Sequence, residues 1–209
     1  MKTLEIEFKW EANSARAFKC MEEAILSVNA RMGRAQEMQI TDVYVDTPAR
    51  DFEKEQIAMR VRKVGSCHWE ATFKTRTEIV NGKAVRREET CALPKVKNFH
   101  TALRVLQEKK RWKGLNVSCL CPLFTVHNKR CSHPITFRRT KAELALDTCK
   151  LLVCGRRIFF KEIELELKQG SADTLGELAS VLTQKTRLQP ARVSKVKTAV
   201  TLMRLWERT

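Results

Sequence analysis

Charged residues occupy every second position in several segments of this chain. In residues 3–10 the apolar Leu4, Ile6 and Phe8 alternate with charged neighbours, and residues 157–168 repeat the pattern. A period of two is typical of a β-strand, because successive side chains point to opposite faces. An open sheet with one wet face explains this alternation on any single strand. The joint pattern goes further, since the charged faces carry clustered pairs of both signs and the other faces are large and apolar.

The charged positions form sets that share one face of their strand. These sets are Glu5, Glu7 and Lys9; Arg60 and Arg62; Glu70 and Lys74; Arg87 and Glu89; and Glu162, Glu164, Glu166 and Lys168. Helices predicted at 13–30, 98–110 and 171–187 could cover the apolar faces from outside. The charged faces would then point inward, into a closed barrel with a polar lumen. One strand and one helix followed by many antiparallel strands indicate an α+β fold.

The composition indicates a folded, basic protein. Of the 209 residues, 43% are hydrophobic, which suits one globular domain over 1–209 and excludes a disordered chain. Lys and Arg total 40 against 24 Asp and Glu, so we expect a polyanionic partner. No apolar run approaches the ~20 residues of a membrane span, and the N-terminus does not resemble a signal peptide. We therefore expect no membrane partner and a cytoplasmic location, where cysteines stay reduced.

A lumen with both signs of charge predicts a complex of metal and polyphosphate. Lys and Arg bind phosphate oxygens, and Arg does so as a bidentate fork. Carboxylates beside them would repel phosphate unless a hard divalent cation lies between. Glu5 and Glu7, two residues apart on one strand, can jointly hold Mg²⁺ or Mn²⁺. Neither a G-x-G-x-x-G motif nor a P-loop occurs, so the common nucleotide-binding loops are excluded.

These residues resemble the CYTH domain, also called the triphosphate tunnel metalloenzyme superfamily. Its N-terminal hallmark, E-x-E-x-K, is similar to Glu5-Ile-Glu7-Phe-Lys9. That motif alone is weak, because any amphipathic strand can contain it. The other similar segments follow in family order up to residue 195, so the series as a whole is specific. They are residues 44–48, 57–62, 70–74, 87–89, 146–147, 162–168 and 194–195, together with Arg139.

The resemblance implies an eight-stranded antiparallel β tunnel with helices outside and a metal-dependent triphosphatase activity. It implies that the metal ligands for Mg²⁺ or Mn²⁺ are Glu5, Glu7, Asp147, Glu164 and Glu166. It implies that the triphosphate binds to Lys9, Arg60, Arg62, Lys74, Arg87, Arg139 and Lys195. Lys9 is also a candidate general base, and a carboxylate is the alternative candidate. Glu89, like Asp147, would orient the attacking water or bind a second metal.

Inorganic triphosphate is the leading substrate, because no aromatic shelf for a base accompanies the charged strands. A nucleoside or thiamine triphosphatase and a class IV-type adenylate cyclase stay open as enzymatic alternatives. A basic protein that binds RNA or polyphosphate is the non-enzymatic alternative. It leaves the inward carboxylates without a use, so a small triphosphate is favoured over RNA as the partner. The oligomeric state, including a homodimer, also stays open.

Residues 112–134 are the least regular part of the sequence. Gly114, Pro122 and Pro134 interrupt the pattern, so an irregular insertion or lid is expected there. The same stretch contains ligand types for a Cys3His zinc site, namely Cys119, Cys121, Cys131 and His133. The spacing differs from the usual C-x2-C, so ordinary thiols are favoured over zinc.

Overall fold

The computed structural model describes residues 2–76, 78–112 and 114–206, in which twelve strands and five helices occur. The strands are β1 (Lys2–Ala12), β2 (Arg31–Met32), β3 (Gln36–Asp46), β4 (Ala58–Val64), β5 (His68–Lys74), β6 (Glu78–Val80), β7 (Lys83–Ala92), β8 (Arg111–Trp112), β9 (Leu115–Asn116), β10 (Cys121–Phe137), β11 (Thr140–Val153) and β12 (Arg156–Gln169). The helices are α1 (Ala15–Leu26), α2 (Asp51–Lys54), α3 (Phe99–Gln107), α4 (Ala172–Thr186) and α5 (Lys195–Trp206).

Eight antiparallel strands close into a barrel. Hydrogen-bonded neighbours follow the order β1, β12, β11, β10, β3, β4, β5 and β7, and β7 pairs back onto β1. The short strands β2 and β6 extend β10 and β7 at the margins. The predicted α+β fold with a closed eight-stranded antiparallel barrel and a charged lumen is confirmed.

The alternation along each strand decides which side chains enter the barrel. On β1, Trp10 lies in the outer core with residues of α1 and α4, whereas Glu7 and Lys9 line the lumen. The outer core also buries Leu165 of β12 completely. Burial of one such side chain stabilises the fold by about 1.5–3 kcal/mol. The apolar faces of these strands therefore pack against the helices, and their charged faces point into the lumen.

Helix α5 packs differently from the other long helices. Its residues Ala199 and Met203 contact a cluster that includes Tyr44, Phe124 and Leu151. These three lie at even spacing from lumenal residues on β3, β10 and β11, so they share the inward face. The lumen therefore has an apolar part beneath α5 and a charged part beyond it.

The prediction of an irregular insertion or lid over 112–134 is wrong for the larger part of that segment. Cys121–Phe137 form β10, which pairs with β11 along one edge and with β3 along the other. The register shifts between Pro122 and Phe124, where a bulge accommodates the proline. Each helix in the described ranges is too short or too polar to cross a membrane.

Candidate functional site

A cavity of about 1130 Å³ occupies the lumen. All eight barrel strands and the start of α5 contribute charged side chains to its walls. These side chains include Glu5, Glu7, Lys9, Asp42, Arg60, Arg62, Lys74, Arg86, Glu88, Arg130, Glu143, Glu164, Glu166, Lys168 and Lys195. Of the residues predicted for the site, nine line this cavity: Glu5, Glu7, Lys9, Arg60, Arg62, Lys74, Glu164, Glu166 and Lys195.

Three buried carboxylates meet on one side of the lumen. Asp147, Glu162 and Glu164 each place an oxygen within 4.8 Å of the other two. The Lys195 ammonium lies among them, 3.0 Å from Asp147 Oδ2, 2.5 Å from Glu162 Oε2 and 3.1 Å from Glu164 Oε1. Lys9 Nζ lies 2.5 Å from the same Glu164 oxygen. Carboxylates this close repel one another unless cations lie between them, and the two lysines supply that charge.

Arg130 completes this cluster from β10. Its Nε and Nη2 donate to the two oxygens of Asp147 at 2.7 and 2.6 Å, and Nη2 also donates to Glu164 Oε2 at 2.6 Å. Sequence reasoning missed Arg130 because it lies within the segment predicted to be irregular. The prediction that Arg139 faces the lumen is wrong, since Arg139 is exposed between β10 and β11.

A second charged group lies where β1, β5 and β7 adjoin. The Arg86 guanidinium contacts Glu5 and lies 2.9 Å from Glu7 Oε1. Lys74 Nζ lies 2.5 Å from Glu88 Oε2 and 3.5 Å from Glu5 Oε2. Both groups thus combine carboxylates with cations, and Glu7 joins them because its Oε2 lies 3.2 Å from the Lys9 ammonium.

The placement of Arg87 and Glu89 in the lumen is wrong by one residue. In the pairing of β7 with β1, Arg86 is opposite Glu5 and Arg87 is opposite Leu4. Directly opposed residues point to the same face, so Arg86 shares the inward face of Glu5. Glu88, two residues later, faces inward for the same reason, and Glu89 turns away.

Asp42 is a lumenal carboxylate that the sequence reasoning did not single out. It accepts hydrogen bonds from Arg62 Nε at 2.7 Å and Arg62 Nη2 at 2.9 Å, and Arg60 Nη1 lies 3.5 Å away. It precedes Tyr44 by two residues on β3, and this period-two spacing could have identified it. Asp46 has another role, because its carboxylate accepts backbone N–H groups of Thr47, Phe52 and Glu53 at the start of α2.

Neighbouring charges set the ionisation of the buried groups. Burial opposes the charge of Glu164, but Lys195, Lys9 and Arg130 outweigh it and hold the pKa of Glu164 well below its usual range. Burial raises the pKa of Glu162. Burial also opposes the charge of Lys9, yet Glu162 and Glu164 hold the pKa of Lys9 above its usual value. A general base needs a free lone pair, whereas a lysine with a raised pKa keeps its proton. The geometry around Lys9 therefore favours an electrostatic role for its ammonium group.

The pKa values of Lys74 and Glu166 are shifted towards their uncharged forms. Burial, Arg60 and Arg86 lower the pKa of Lys74 to about 8. Burial raises the pKa of Glu166, whose carboxylate lies 2.8 Å from Lys168 Nζ. Lys74 therefore loses its charge at a lower pH than an ordinary lysine side chain does.

The lumenal donors fit a hard divalent cation. Two buried carboxylate oxygens, Glu7 Oε1 and Glu162 Oε2, have no hydrogen bond, although Arg86 and Lys195 lie within ion-pair distance of them. Carboxylate oxygens are the ligands that Mg²⁺ and Mn²⁺ prefer. The metal set predicted from sequence lacked Glu162, which forms the buried group with Asp147 and Glu164. Glu166 is not part of that group, and its carboxylate pairs with Lys168.

The family model described as CYTH domain matches residues 3–200. The chain belongs to the CYTH domain family. This confirms the resemblance drawn from the charged strands. An inorganic triphosphatase from Haemophilus influenzae is 25% identical over 162 residues, which are 78% of this chain and 45% of the relative. The CYTH chain thus spans about half the length of that curated relative.

Solved structures share the fold of this CYTH domain at low sequence identity. HpAC1 from Hippeastrum, an adenylyl cyclase candidate with a dominant triphosphatase activity, is 15% identical with a TM-score of 0.66, over 94% of this chain and 95% of that chain. An adenylate cyclase candidate from Bacillus halodurans is 17% identical with a TM-score of 0.62, over 94% and 97% of the two chains. At such identities the likeness establishes the fold alone.

Proposed function

We propose that this CYTH domain hydrolyses a triphosphate with a divalent cation, and that its substrate is inorganic triphosphate. The observation that carries the proposal is a single lumen in which fixed cations and buried carboxylates face the same cavity. Phosphoryl transfer depends mainly on positioning and on neutralising charge at phosphate oxygens, and such a lumen supplies both. The name of the Haemophilus influenzae relative, inorganic triphosphatase, supports the choice of substrate.

The cations of the lumen hold the phosphate chain in this proposal. Three lysines, Lys9, Lys74 and Lys195, offer ammonium donors from three directions. Arginine forks add bidentate contacts. The binding set becomes Lys9, Arg60, Arg62, Lys74, Arg86, Arg130 and Lys195, with Arg86 and Arg130 in place of Arg87 and Arg139.

The carboxylates divide between holding the metal and handling water. Mg²⁺ or Mn²⁺ would be held by Glu5, Glu7, Asp147, Glu162 and Glu164, with Glu166 as a further oxygen donor. When bound, the cation neutralises phosphate charge and acidifies water. Glu88, in the place predicted for Glu89, orients the attacking water and accepts its proton. The water oxygen bonds to the terminal phosphorus, the bridging P–O bond breaks, and pyrophosphate leaves.

The test is phosphate release from inorganic triphosphate, ATP and thiamine triphosphate, each with Mg²⁺, Mn²⁺ or EDTA. We expect release with either metal, none in EDTA, and the highest kcat/KM for inorganic triphosphate. No release from any substrate would contradict the hydrolase. Formation of cyclic AMP from ATP would favour an adenylate cyclase. RNA binding with steep salt dependence and no metal dependence would favour a non-enzymatic RNA-binding protein.

An organic triphosphate is the second candidate, because the cavity has an aromatic part. The rings of Tyr44 and Phe124 stack with centroids 4.6 Å apart, and both residues line the cavity. The sequence predicted no such aromatic shelf. A base or a thiazole ring could contact these rings beside the charged lumen. A higher kcat/KM for ATP or thiamine triphosphate than for inorganic triphosphate would favour this candidate.

Loss of charge on Lys74 should weaken catalysis at alkaline pH. An amine is charged below its pKa, so Lys74 binds phosphate best below about pH 8 and loses this contact as the pH rises. We expect kcat/KM to fall by up to about tenfold per pH unit above that value. Lys74→Arg keeps the charge and should shift this limb to higher pH, whereas the exposed control Lys141→Arg should not. An unchanged limb in Lys74→Arg would assign it to another group.

We further place this CYTH domain in the cytoplasm, with a small triphosphate as its partner. All eight cysteines are free thiols, which suits a reducing compartment.

A mimivirus RNA triphosphatase domain shares the fold at 13% identity, with a TM-score of 0.50 over 88% of this chain and 87% of that chain. An RNA 5′-triphosphate end therefore belongs in the substrate comparison as well.

A further inference from the structure

The four residues considered for a Cys3His zinc site do not come together. Cys121 and Cys131 lie on the same extended strand, β10, ten positions apart. At a rise of about 3.3 Å per residue, roughly 33 Å separates them. The four residues therefore cannot bind one zinc ion. Cys131 and His133 remain neighbours, because residues two apart on a strand share a face. That face is the outer one, beneath α1.

The imidazole of His133 is held with one ring nitrogen facing the carboxylate of Glu22 and the thiol of Cys131. His133 is buried, and its Nδ1 lies 3.1 Å from the carbonyl oxygen of Gly33. A carbonyl oxygen can only accept, so Nδ1 carries the hydrogen. Nε2 lies 3.2 Å from Glu22 Oε1 and 3.7 Å from Cys131 Sγ. Nε2 thus faces a carboxylate and a thiol, and all three groups are common zinc ligands.

We propose that Cys131, His133 and Glu22 bind Zn²⁺ on the outer face of the barrel. Tetrahedral zinc, with Zn–S near 2.3 Å and Zn–N and Zn–O near 2.0–2.1 Å, places sulfur and nitrogen about 3.6 Å apart and nitrogen and oxygen about 3.3 Å apart. The 3.7 Å and 3.2 Å separations around His133 Nε2 match both edges within about 0.2 Å.

The surroundings of the three residues also suit a zinc site. A zinc-bound histidine usually donates its other N–H to a carbonyl or carboxylate, as Nδ1 does to Gly33. Among the described residues, the lumenal carboxylates are the group whose donor atoms all lie within 4.8 Å of one another. Glu22 therefore has to rotate towards Cys131 to complete the site, and its side chain is 31% exposed. Glu37, the cross-strand partner of Cys131, offers a fourth oxygen.

The charges around Cys131 favour a cation there. Glu22 approaches His133 Nε2 to 3.2 Å beside the thiol, and Glu37 is opposite Cys131 on β3. Zinc would displace the thiol proton and balance the negative charge of these groups. The bound ion would link α1 to β10 one residue from Arg130, whose guanidinium lies in the lumen. Its role would be structural, and it stands independently of the proposed triphosphate chemistry.

The test is a titration of the chelator-treated full chain with Co²⁺, followed by Zn²⁺. A cobalt–thiolate site gives a charge-transfer band in the near ultraviolet, and the lumenal carboxylates cannot produce it. We expect this band to saturate at one Co²⁺ per chain and to disappear on adding Zn²⁺. Cys131→Ser should abolish the band, and Glu22→Ala should weaken Co²⁺ binding by at least about tenfold. The control Cys121→Ser, on the same strand but remote, should keep it.

Absence of the band in the unmodified chain, or its persistence in Cys131→Ser, would overturn the zinc site and leave an ion pair between His133 and Glu22. Circular dichroism verifies that each variant is folded. If Cys131→Ser fails to fold, Glu22→Ala decides, because its partly exposed side chain is not needed for the core. An unchanged Co²⁺ affinity in Glu22→Ala would then overturn the proposal.

Discussion

Replacing Glu164 with glutamine is expected to lower kcat for triphosphate hydrolysis by about 10²–10³-fold. The two oxygens of Glu164 contact Lys9 at 2.5 Å, Arg130 at 2.6 Å and Lys195 at 3.1 Å. Glutamine keeps the size of the side chain but removes the negative charge. Three lumenal cations then lose their shared counter-charge, and the proposed metal site loses a ligand. The measurement is steady-state phosphate release over a range of Mg²⁺ concentrations.

The Glu164 variant needs a control that separates chemistry from folding. Glu177→Gln removes an exposed carboxylate on α4, which pairs with Arg138 at 2.6 Å, and it should retain full activity. Breaking a buried ion pair from one side costs about 3–5 kcal/mol, so the Tm of Glu164→Gln should fall as well. Rates are therefore compared below the Tm of the variant. A folded Glu164→Gln protein with more than about a tenth of the original kcat would contradict the proposed role.

The inward faces of β1 and β12 were predictable because each carries a long, unbroken alternation. On β12, the run from Glu162 to Lys168 leaves one consistent choice of charged face. Closure of the barrel follows from the same fact, since helices can cover the apolar faces and the charges must then face one another. Where the pattern is long on both faces, register has little freedom.

The misplacement of Arg87 and Glu89 arises because the local pattern does not decide which face of β7 is inward. On β7, Arg86 and Arg87 are adjacent and so are Glu88 and Glu89, so a period of two fits either choice. The pairing of Glu5 with Arg86 decides, and pairing is a property of the closed barrel. The pairing with β5 gives the same answer, because Glu88 is opposite Lys74.

Most of β10 escaped prediction because local signals within it point away from one long strand. Two prolines interrupt it, and its inward positions include the uncharged Asn128 and Ser132, which break the charge alternation. Pairing along both edges, with β3 and β11, overrides the local preference. Arg130 was missed together with the strand, and the resemblance assigned Arg139 to the triphosphate instead.

Exchanging Arg86 for methionine is expected to reduce kcat/KM for the triphosphate by about 10²–10³-fold, whereas the same exchange at Arg87 should leave it almost unchanged. Arg86 contacts Glu5 and lies 2.9 Å from Glu7 Oε1, so its loss removes a phosphate donor and leaves two carboxylates facing the anion. Arg87 is exposed beside Leu4. The two variants have the same composition and differ only in which face of β7 loses its charge. Equal losses in both, or a larger loss in Arg87→Met, would contradict the register of β7 and the binding set built on it.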